Sequence, residues 1–253
     1  MLDSTKRFSS RVANYTRYRP GYPKAIIDLL RSECVLTKAS VIADIGSGTG
    51  KLTELFLENG NRVFGVEPNR EMRETGERLL KKFPYFTSVD GTAEATALPD
   101  RCADFIIAGQ AFHWFDREQC RPEFLRILKP GGRVLIVWND RRTDATPFLV
   151  DYEKLLADFS TDYAQVNHRR VDDPATVREF FRSEPCLKTF PYSQVFDYEG
   201  LKGRLLSSSY APEAGQPNHE SMLARLRAIF AAHQKDGQVV FEYDTRVHYG
   251  RLA

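Results

Sequence analysis

Short apolar runs alternate with amphipathic segments between Ala39 and Asn139. The runs are rich in β-branched residues, and the segments between them repeat apolar positions at helical spacing. Such alternation is typical of βαβ units and predicts a mostly parallel sheet. Five strands are predicted, at residues 41–45, 62–67, 85–89, 103–108 and 133–138.

The helices between these strands have recognisable starts and stops. The first occupies residues 51–60 and ends in an Asn-Gly pair, a favoured helix stop. The second begins at Asn69, a residue type that caps helix N-termini well. The third has a capping box at Asp116, but Pro122 lies within its apolar repeat, so this helix either starts at the proline or is kinked there.

The chain changes character after residue 140. Helices are predicted at 146–159, 172–181, 198–209 and 218–233, and two strand-like segments, 189–198 and 238–250, are placed to extend the sheet at one edge. No internal repeat or flexible linker divides the chain. We interpret it as a single domain with an N-terminal lid or helix at 1–38, a core at 39–140, and cap helices and final strands at 141–253.

Composition narrows the class of protein. The 253 residues are 42% hydrophobic and carry 36 basic and 34 acidic side chains, for a net charge of +2. The charges are interspersed and too weakly basic to argue for a nucleic-acid partner. No apolar run is long enough for a membrane span, and the N-terminus has no hydrophobic centre for a signal peptide. We therefore expect a cytoplasmic protein without a membrane partner.

Cysteines and histidines indicate no metal centre. The four cysteines have no Cys-x-x-Cys spacing and are interpreted as reduced packing residues. The five histidines include no pair at ligand spacing. The sequence thus predicts no bound metal.

The most informative stretch is "VIADIGSGTGKL", residues 41–52. A phosphate-binding Walker A loop needs a glycine where Ile45 stands and a hydroxyl where Leu52 stands, so a nucleotide triphosphatase is disfavoured. A dinucleotide fingerprint needs a third small residue where Lys51 stands. This mismatch argues against an NAD-type oxidoreductase, which stays open as an alternative.

An acidic residue followed by alternating glycines is present instead. Asp44 ends a strand, and Gly46, Gly48 and Gly50 lead into a helix. Glycines let the backbone approach a ligand closely. Glu67 ends the next strand, where a carboxylate can accept both hydroxyls of a ribose. At this point the chain resembles the class I S-adenosylmethionine-dependent methyltransferases.

A second resemblance lies in "FIIAGQAFHWFD", residues 105–116. It is similar to a methyltransferase subgroup that includes relatives of trans-aconitate methyltransferases, in which such a run ends the fourth strand beside the cofactor's sulfonium. With "LKPGGRVLIVW", residues 128–138, the resemblance covers roughly residues 8–140. Thr92 departs from it, because family members often carry Asp there.

The resemblance implies a Rossmann-like α/β fold, with a mixed, mostly parallel seven-stranded sheet, helices on both faces and a helical cap. It implies S-adenosylmethionine as cofactor and S-adenosylhomocysteine as product. The residues it places at the cofactor are Asp44, Gly46, Ser47, Gly48, Gly50, Glu67, Pro68, Asn69, Ala93, Glu94, Gln110 and Ala111.

The chemistry is expected to be an in-line displacement at the sulfonium methyl, which needs alignment and exclusion of water. His113 is the candidate catalytic residue, with a structural or cofactor-lining role favoured over that of a base. Tyr15, Tyr18 and Arg19 of the predicted lid are placed to meet a carboxylate of cofactor or substrate.

The acceptor is expected to be a small molecule, and a carboxylate is a candidate because it is already ionised and needs only positioning. Its identity depends on cap residues such as Phe148, Tyr152, Ser208, Ser209 and Tyr210, which carry no general code. No Asn-Pro-Pro-Tyr run follows the fourth strand, so a nucleic-acid base is not expected as acceptor. A non-catalytic, cofactor-binding regulatory protein is the remaining alternative, and the sequence predicts no oligomeric state.

Overall fold

A computed structural model describes residues 12–161, 163 and 174–253, so residues 1–11 of the predicted lid lie outside the described part. The described residues form a seven-stranded sheet in the order β3-β2-β1-β4-β5-β7-β6. The strands are β1 Val41–Ile45, β2 Arg62–Val66, β3 Phe86–Val89, β4 Ala103–Gly109, β5 Leu128–Arg141, β6 Cys186–Phe196 and β7 Val239–Gly250.

The sheet is mixed, as the resemblance implied. β1 to β5 pair in parallel, β7 runs antiparallel to β5, and β6 runs antiparallel to β7. The two late strand-like segments are thus confirmed as strands that extend the sheet at one edge. Parallel strands require crossover helices, which is why the helical segments of the core alternate with β1 to β5.

The helices follow the strands on both faces. They are α1 Val12–Tyr18, α2 Ala25–Cys34, α3 Lys51–Glu58, α4 Arg70–Leu80, α5 Arg117–Ile127, α6 Pro147–Phe159, α7 Pro174–Phe181, α8 Tyr198–Leu206 and α9 His219–His233. A short 3-10 helix, Phe112–Trp114, follows β4.

Two predicted helix starts are confirmed by their caps. The Asn69 side chain accepts a hydrogen bond from the backbone amide of Met72 at 2.9 Å. The Asp116 side chain accepts one from the amide of Gln119 at 3.2 Å, and α5 runs through Pro122. The third core helix therefore starts at the aspartate, and a start at the proline was the wrong alternative.

The fifth strand starts earlier than its apolar run indicated. The prediction began it at residue 133 after a Lys-Pro-Gly-Gly turn, whereas β5 begins at Leu128, which pairs with Ala103. The β4–β5 pairing changes register after Ala103, and Gly131 adopts a φ of 81°. The glycines lie in the irregular part of the strand, because glycine tolerates the left-handed backbone of a bulge.

Alternation along the strands divides the core into two layers. Ile42, Phe105 and Leu135 pack with α2 and α3 on one face. Ala43 and Ile106 pack with α5 and α7 on the other. Both faces of the parallel strands are therefore covered by helices, as expected for a buried parallel sheet.

A third apolar cluster forms the cap. It joins α6, α8 and α9 to the ends of β6 and β7. The N-terminal segment docks on this cluster, because Gly203 of α8 leaves the space that the Tyr18 ring occupies. The Gln194 side chain also donates a hydrogen bond to the Tyr18 carbonyl at 3.2 Å. The lid and the cap are thus packed against each other.

Within the described ranges, no helix has the length and apolar character required to cross a membrane. The four cysteines are free, with Cys34 and Cys120 buried. Burial raises the pKa of the Cys120 thiol to about 12, so this residue is an unreactive packing group at neutral pH.

Candidate active site

A cavity of about 280 Å³ lies at the carboxyl ends of β1, β2, β4 and β5. β1 lies between β2 and β4, so this is the point where the strand order reverses and where open α/β sheets bind ligands. The predicted site residues that line the cavity are Tyr15, Arg19, Asp44, Gly46, Ser47, Gly48, Glu67, Pro68, Asn69, Ala93, Glu94, Gln110, Ala111 and His113. Of the predicted residues, Gly50 and Tyr18 lie outside this lining.

The glycine loop between β1 and α3 depends on the absence of side chains. Gly46, Gly48 and Gly50 have φ values of 69°, 58° and 87°. A Cβ at Gly46 would lie 2.6 Å from the Cβ of Ala111, too close for any side chain. Gly50 instead provides close packing against Leu80, which explains why it lies outside the cavity. The loop is therefore a cradle whose backbone faces the cavity.

Asp44 is a buried carboxylate with one oxygen unused. Its side chain is 1% exposed, and Oδ2 accepts a hydrogen bond from the Thr53 hydroxyl at 2.6 Å. Oδ1 has no hydrogen-bond partner among the described residues. Burial raises the pKa of Asp44 to about 7, although the Thr53 hydrogen bond opposes the shift. Such an atom fits a cationic hydrogen-bond donor of a ligand.

Glu67 is held rigidly at the end of β2. Its Oε2 accepts the backbone amide of Gly48 at 2.8 Å, and its Oε1 accepts that of Asn69 at 2.9 Å. Burial raises the pKa of Glu67, while these two amides oppose the shift. Each carboxylate oxygen retains a second lone pair. The geometry thus fixes the carboxylate plane and leaves acceptor capacity for two hydroxyls.

The loop after β3 is organised around its own polar side chains. The Thr92 hydroxyl accepts the amide of Ala95 at 3.2 Å. The Glu94 carboxylate accepts the amide of Asp116 at 2.9 Å, which ties this loop to the start of α5. Glu94 therefore shapes the cavity wall, and Ala93 lines it without a polar side chain.

Gln110 occupies a strained position directly after β4. Its φ is 56°, a conformation that is uncommon for residues other than glycine. Its side-chain amide donates to the Asn139 carbonyl at 3.1 Å, and its Oε1 is buried without a hydrogen-bond partner. Strain and an unpaired acceptor in a cavity wall indicate a ligand contact.

His113 lies in an aromatic wall of the cavity. Its ring centroid is 4.5 Å from that of Trp114 and 5.1 Å from that of Trp138. Phe112 of the same run points into the core and packs on Phe180. In the 3-10 helix, Phe112 thus faces the core and His113 faces the cavity. The catalytic role of His113 stays a prediction.

The N-terminal lid contributes unequally to the cavity. Tyr15 and Arg19 line it, and the Arg19 guanidinium lies 5.4 Å from the Tyr15 ring centroid. Tyr18 faces the cap core, where its ring lies 6.5 Å from that of Phe196. The run of tyrosines and arginines could not be assigned by sequence, because neighbouring residues such as Tyr18 and Arg19 face the core and the cavity respectively.

The cap supplies cavity residues that sequence reasoning missed. Arg141 is the last residue of β5, Arg204 comes from α8, and Tyr243 lies on β7. Of the predicted cap residues, Ser209 and Tyr210 line the cavity, whereas Phe148 and Tyr152 belong to the cap core. An arginine in an amphipathic helix is usually expected to face solvent, and no short motif in the sequence indicates that Arg204 is buried.

Over the described part of the chain, no group of His, Cys, Asp and Glu residues is arranged to hold a metal ion.

Comparisons with known proteins place the chain in a family. A family model described as a methyltransferase domain matches residues 43–136. Over 225 residues the chain is 30% identical to an uncharacterized methyltransferase-like protein of Schizosaccharomyces pombe, covering 88% of this chain and 86% of that protein. The chain belongs to the class I S-adenosylmethionine-dependent methyltransferases. It is also 40% identical over 139 residues to an uncharacterized methyltransferase of Mycobacterium tuberculosis, covering 55% of this chain and 54% of that protein.

Solved structures agree on the fold of this methyltransferase. A protein described as a type II methyltransferase from Anaeromyxobacter dehalogenans matches 93% of this chain and 98% of its own, with 22% identity and a TM-score of 0.68. A methyltransferase from Anabaena variabilis matches 92% of this chain and 98% of its own, with 24% identity and a TM-score of 0.63. The family assignment confirms the methyltransferase prediction over the NAD-type and non-catalytic alternatives, while the trans-aconitate subgroup stays a prediction.

Proposed function

We propose that this methyltransferase transfers the methyl group of S-adenosylmethionine to a small carboxylic acid bound between the cofactor and the cap. The observation that carries the proposal is the charge distribution of the cavity. Asp44 and Glu67 lie at its glycine-loop end, Arg204 lines its cap end, and Arg19 lies between them. A cavity with separated acidic and basic ends fits a cationic donor and an anionic acceptor.

The residues at the acidic end fit the cofactor chemically. The unpartnered Oδ1 of Asp44 and the Oε1 of Gln110 are buried acceptors that suit the ammonium of a methionine moiety. Glu67 keeps acceptor capacity for two ribose hydroxyls. The glycine loop lets the ligand approach backbone atoms without side-chain interference.

The bound cofactor would supply an electrophilic methyl group on a positively charged sulfur. The protein's task is then to align the acceptor and keep water away. His113, Trp114 and Trp138 form an aromatic wall suited to limit the access of water. A carboxylate acceptor is ionised at neutral pH, so this wall needs no general base.

A small acceptor is supported by the way the cavity is covered. α1 packs against α8, and the Arg19 side chain donates to the Ser207 carbonyl at 3.1 Å, which joins the lid to the cap. The lid and the cap thus cover the cavity together, which favours a small organic acid over a macromolecular chain as acceptor.

The experiment is methyl transfer from S-adenosylmethionine that carries tritium in its methyl group. The acceptor panel contains mono-, di- and tricarboxylic acids together with phenols and amines of matched size. We expect label to enter a carboxylic acid and to be released as volatile methanol by mild alkali, because methyl esters hydrolyse. Transfer to a phenol or amine, which alkali does not release, would refute the carboxylate acceptor. A tricarboxylate as best acceptor would support the trans-aconitate likeness.

A further inference from the structure

Two guanidinium groups that line the cavity lack an acidic partner among the described residues. Arg204 is 5% exposed and donates to the Tyr243 hydroxyl at 3.2 Å and to the Ser208 hydroxyl at 3.3 Å. Arg19 donates to the Ser207 carbonyl, and its Nε is buried without a hydrogen-bond partner. Among the described residues, neither arginine forms an ion pair with Asp or Glu.

The other arginines nearby are neutralised. Arg141 also lines the cavity, but it forms an ion pair with Glu153 and donates a hydrogen bond to the Tyr163 hydroxyl at 3.1 Å. Arg142 lies outside the cavity lining and pairs with Asp244 at 2.7 Å. The protein therefore supplies counter-charges to Arg141 and Arg142, whereas Arg19 and Arg204 have none among the described residues.

The protein treats the two charges differently. Burial lowers the pKa of Arg19, and the charge of Arg204 lowers it further. Burial also acts to lower the pKa of Arg204, but the neighbouring tyrosines, Tyr243 above all, outweigh it and hold this pKa above its usual range. Arginine nevertheless keeps its proton in proteins, so two positive charges face the same buried space. A buried charge without a partner destabilises the fold unless a ligand compensates it. The planar guanidinium group suits a carboxylate in particular, through two parallel hydrogen bonds.

The position of Arg204 separates it from the cofactor end. Its hydrogen-bond partners, Tyr243 and Ser208, lie on β7 and directly after α8. The predicted cofactor residues instead follow β1, β2, β3 and β4. Arg19 lies between the two groups, because its charge interacts with Lys51 of α3 as well as with Arg204.

We propose that Arg204, supported by Arg19, is the residue that anchors a carboxylate of the acceptor and selects anionic acceptors over neutral molecules of the same shape. This assignment rests on the proposed function and adds a specificity-determining residue to it. Tyr243 and Ser208 orient the guanidinium, so Arg204 acts by direct contact with the acceptor while those two residues act through it.

The test uses the full chain with Arg204→Gln, Arg204→Lys and the control Arg142→Gln. Each protein is saturated with S-adenosylhomocysteine and titrated calorimetrically with benzoate and succinate, and with the neutral amides benzamide and succinamide. We expect the wild-type protein to bind at least one carboxylate and neither amide. Arg204→Gln should weaken carboxylate binding at least tenfold, Arg204→Lys should restore part of it, and Arg142→Gln should bind as wild type.

Two further measurements separate the possible failures. S-adenosylhomocysteine affinity should be unchanged in Arg204→Gln, and a loss there would show that the pair serves the carboxylate of the cofactor instead. The unliganded Arg204→Gln protein should melt at the same or a higher temperature than wild type, and a lower temperature would assign Arg204 a structural role. Carboxylate binding that survives Arg204→Gln, or wild-type binding of neither carboxylate, would also overturn the inference. Failure of the wild-type protein to bind S-adenosylhomocysteine would refute the proposed function itself.

Discussion

The Asp44→Asn substitution tests the acidic end of the cavity most directly. The carboxylate is 1% exposed, and only one of its oxygens has a partner in the protein. Asparagine keeps the shape and an oxygen that can accept from Thr53, but it removes the negative charge. The substitution should therefore have opposite effects on the stability of the unliganded protein and on cofactor binding.

The stability effect follows from the pKa. Burial raises the pKa of Asp44 from 3.8 to about 7, a shift of about 3 units or about 4 kcal/mol at most. Because the folded-state pKa is the higher one, this group favours the fold when protonated, and that contribution is lost as the pH rises from 3.8 through 7. The new amide N–H groups of asparagine cost about 1–3 kcal/mol where unpaired. We expect unliganded Asp44→Asn to be about 1–3 kcal/mol more stable than wild type at pH 8.

The binding effect has the opposite sign. Hydrogen bonds to charged groups contribute about 1.5–3 kcal/mol, so S-adenosylhomocysteine affinity should fall about 10- to 150-fold at pH 8. Wild-type affinity should decline as the pH falls through 7, because a protonated carboxyl is a weaker partner for an ammonium. The variant should lack this dependence.

Urea unfolding at pH 8 and pH 5 and calorimetric titration at both values provide the measurements. The stability difference between variant and wild type should shrink at pH 5, where Asp44 is protonated in the fold. A variant that is less stable at pH 8 and binds S-adenosylhomocysteine as tightly as wild type would refute both the burial argument and the assignment of Asp44 to the cofactor.

Three other substitutions probe separate parts of the site. Glu67→Ala should weaken S-adenosylhomocysteine binding by about 1–3 kcal/mol in calorimetry, because a charged acceptor is lost, and unchanged affinity would contradict its ribose role. Gly46→Ala, whose Cβ would lie 2.6 Å from that of Ala111, should lower the melting temperature and cofactor affinity together. Gly203→Ala should displace the Tyr18 ring and raise the Michaelis constant for the acceptor in steady-state assays, and wild-type kinetics would argue against a lid docked on the cap.

The parallel core was predictable because its signals are local. Asn69 and Asp116 cap helices through residues three positions away, and each strand of the core carries its own apolar run. The start of β5 was misplaced because Leu128 already pairs with Ala103 of β4 before the Pro-Gly-Gly sequence, and regular pairing resumes only at Arg133. The pairing of Leu128 depends on a distant strand, so the local turn signal did not indicate it.

The glycine-loop end of the cavity was predictable for a related reason. Asp44 and the glycines that follow it lie within one loop, and Glu67 lies at the end of the adjacent strand. Residues that are close in the sequence here are therefore also close in the fold. The hydrogen bonds of Glu67 to the amides of Gly48 and Asn69 were not predictable, because they depend on how two loops meet.

The cap end of the cavity has no local sequence signal of this kind. Arg19 and Arg204 are 185 residues apart in the chain and meet only because α1 packs on α8. In the sequence, each resembles an ordinary surface arginine. Its proposed binding role is inferred from its burial without an acidic partner among the described residues, which only the structure shows. Charges of opposite sign that have no counter-charge from the described part of the chain lie along one cavity. A cationic donor and an anionic acceptor would supply both counter-charges and would also attract each other, so binding of either ligand should favour binding of the other.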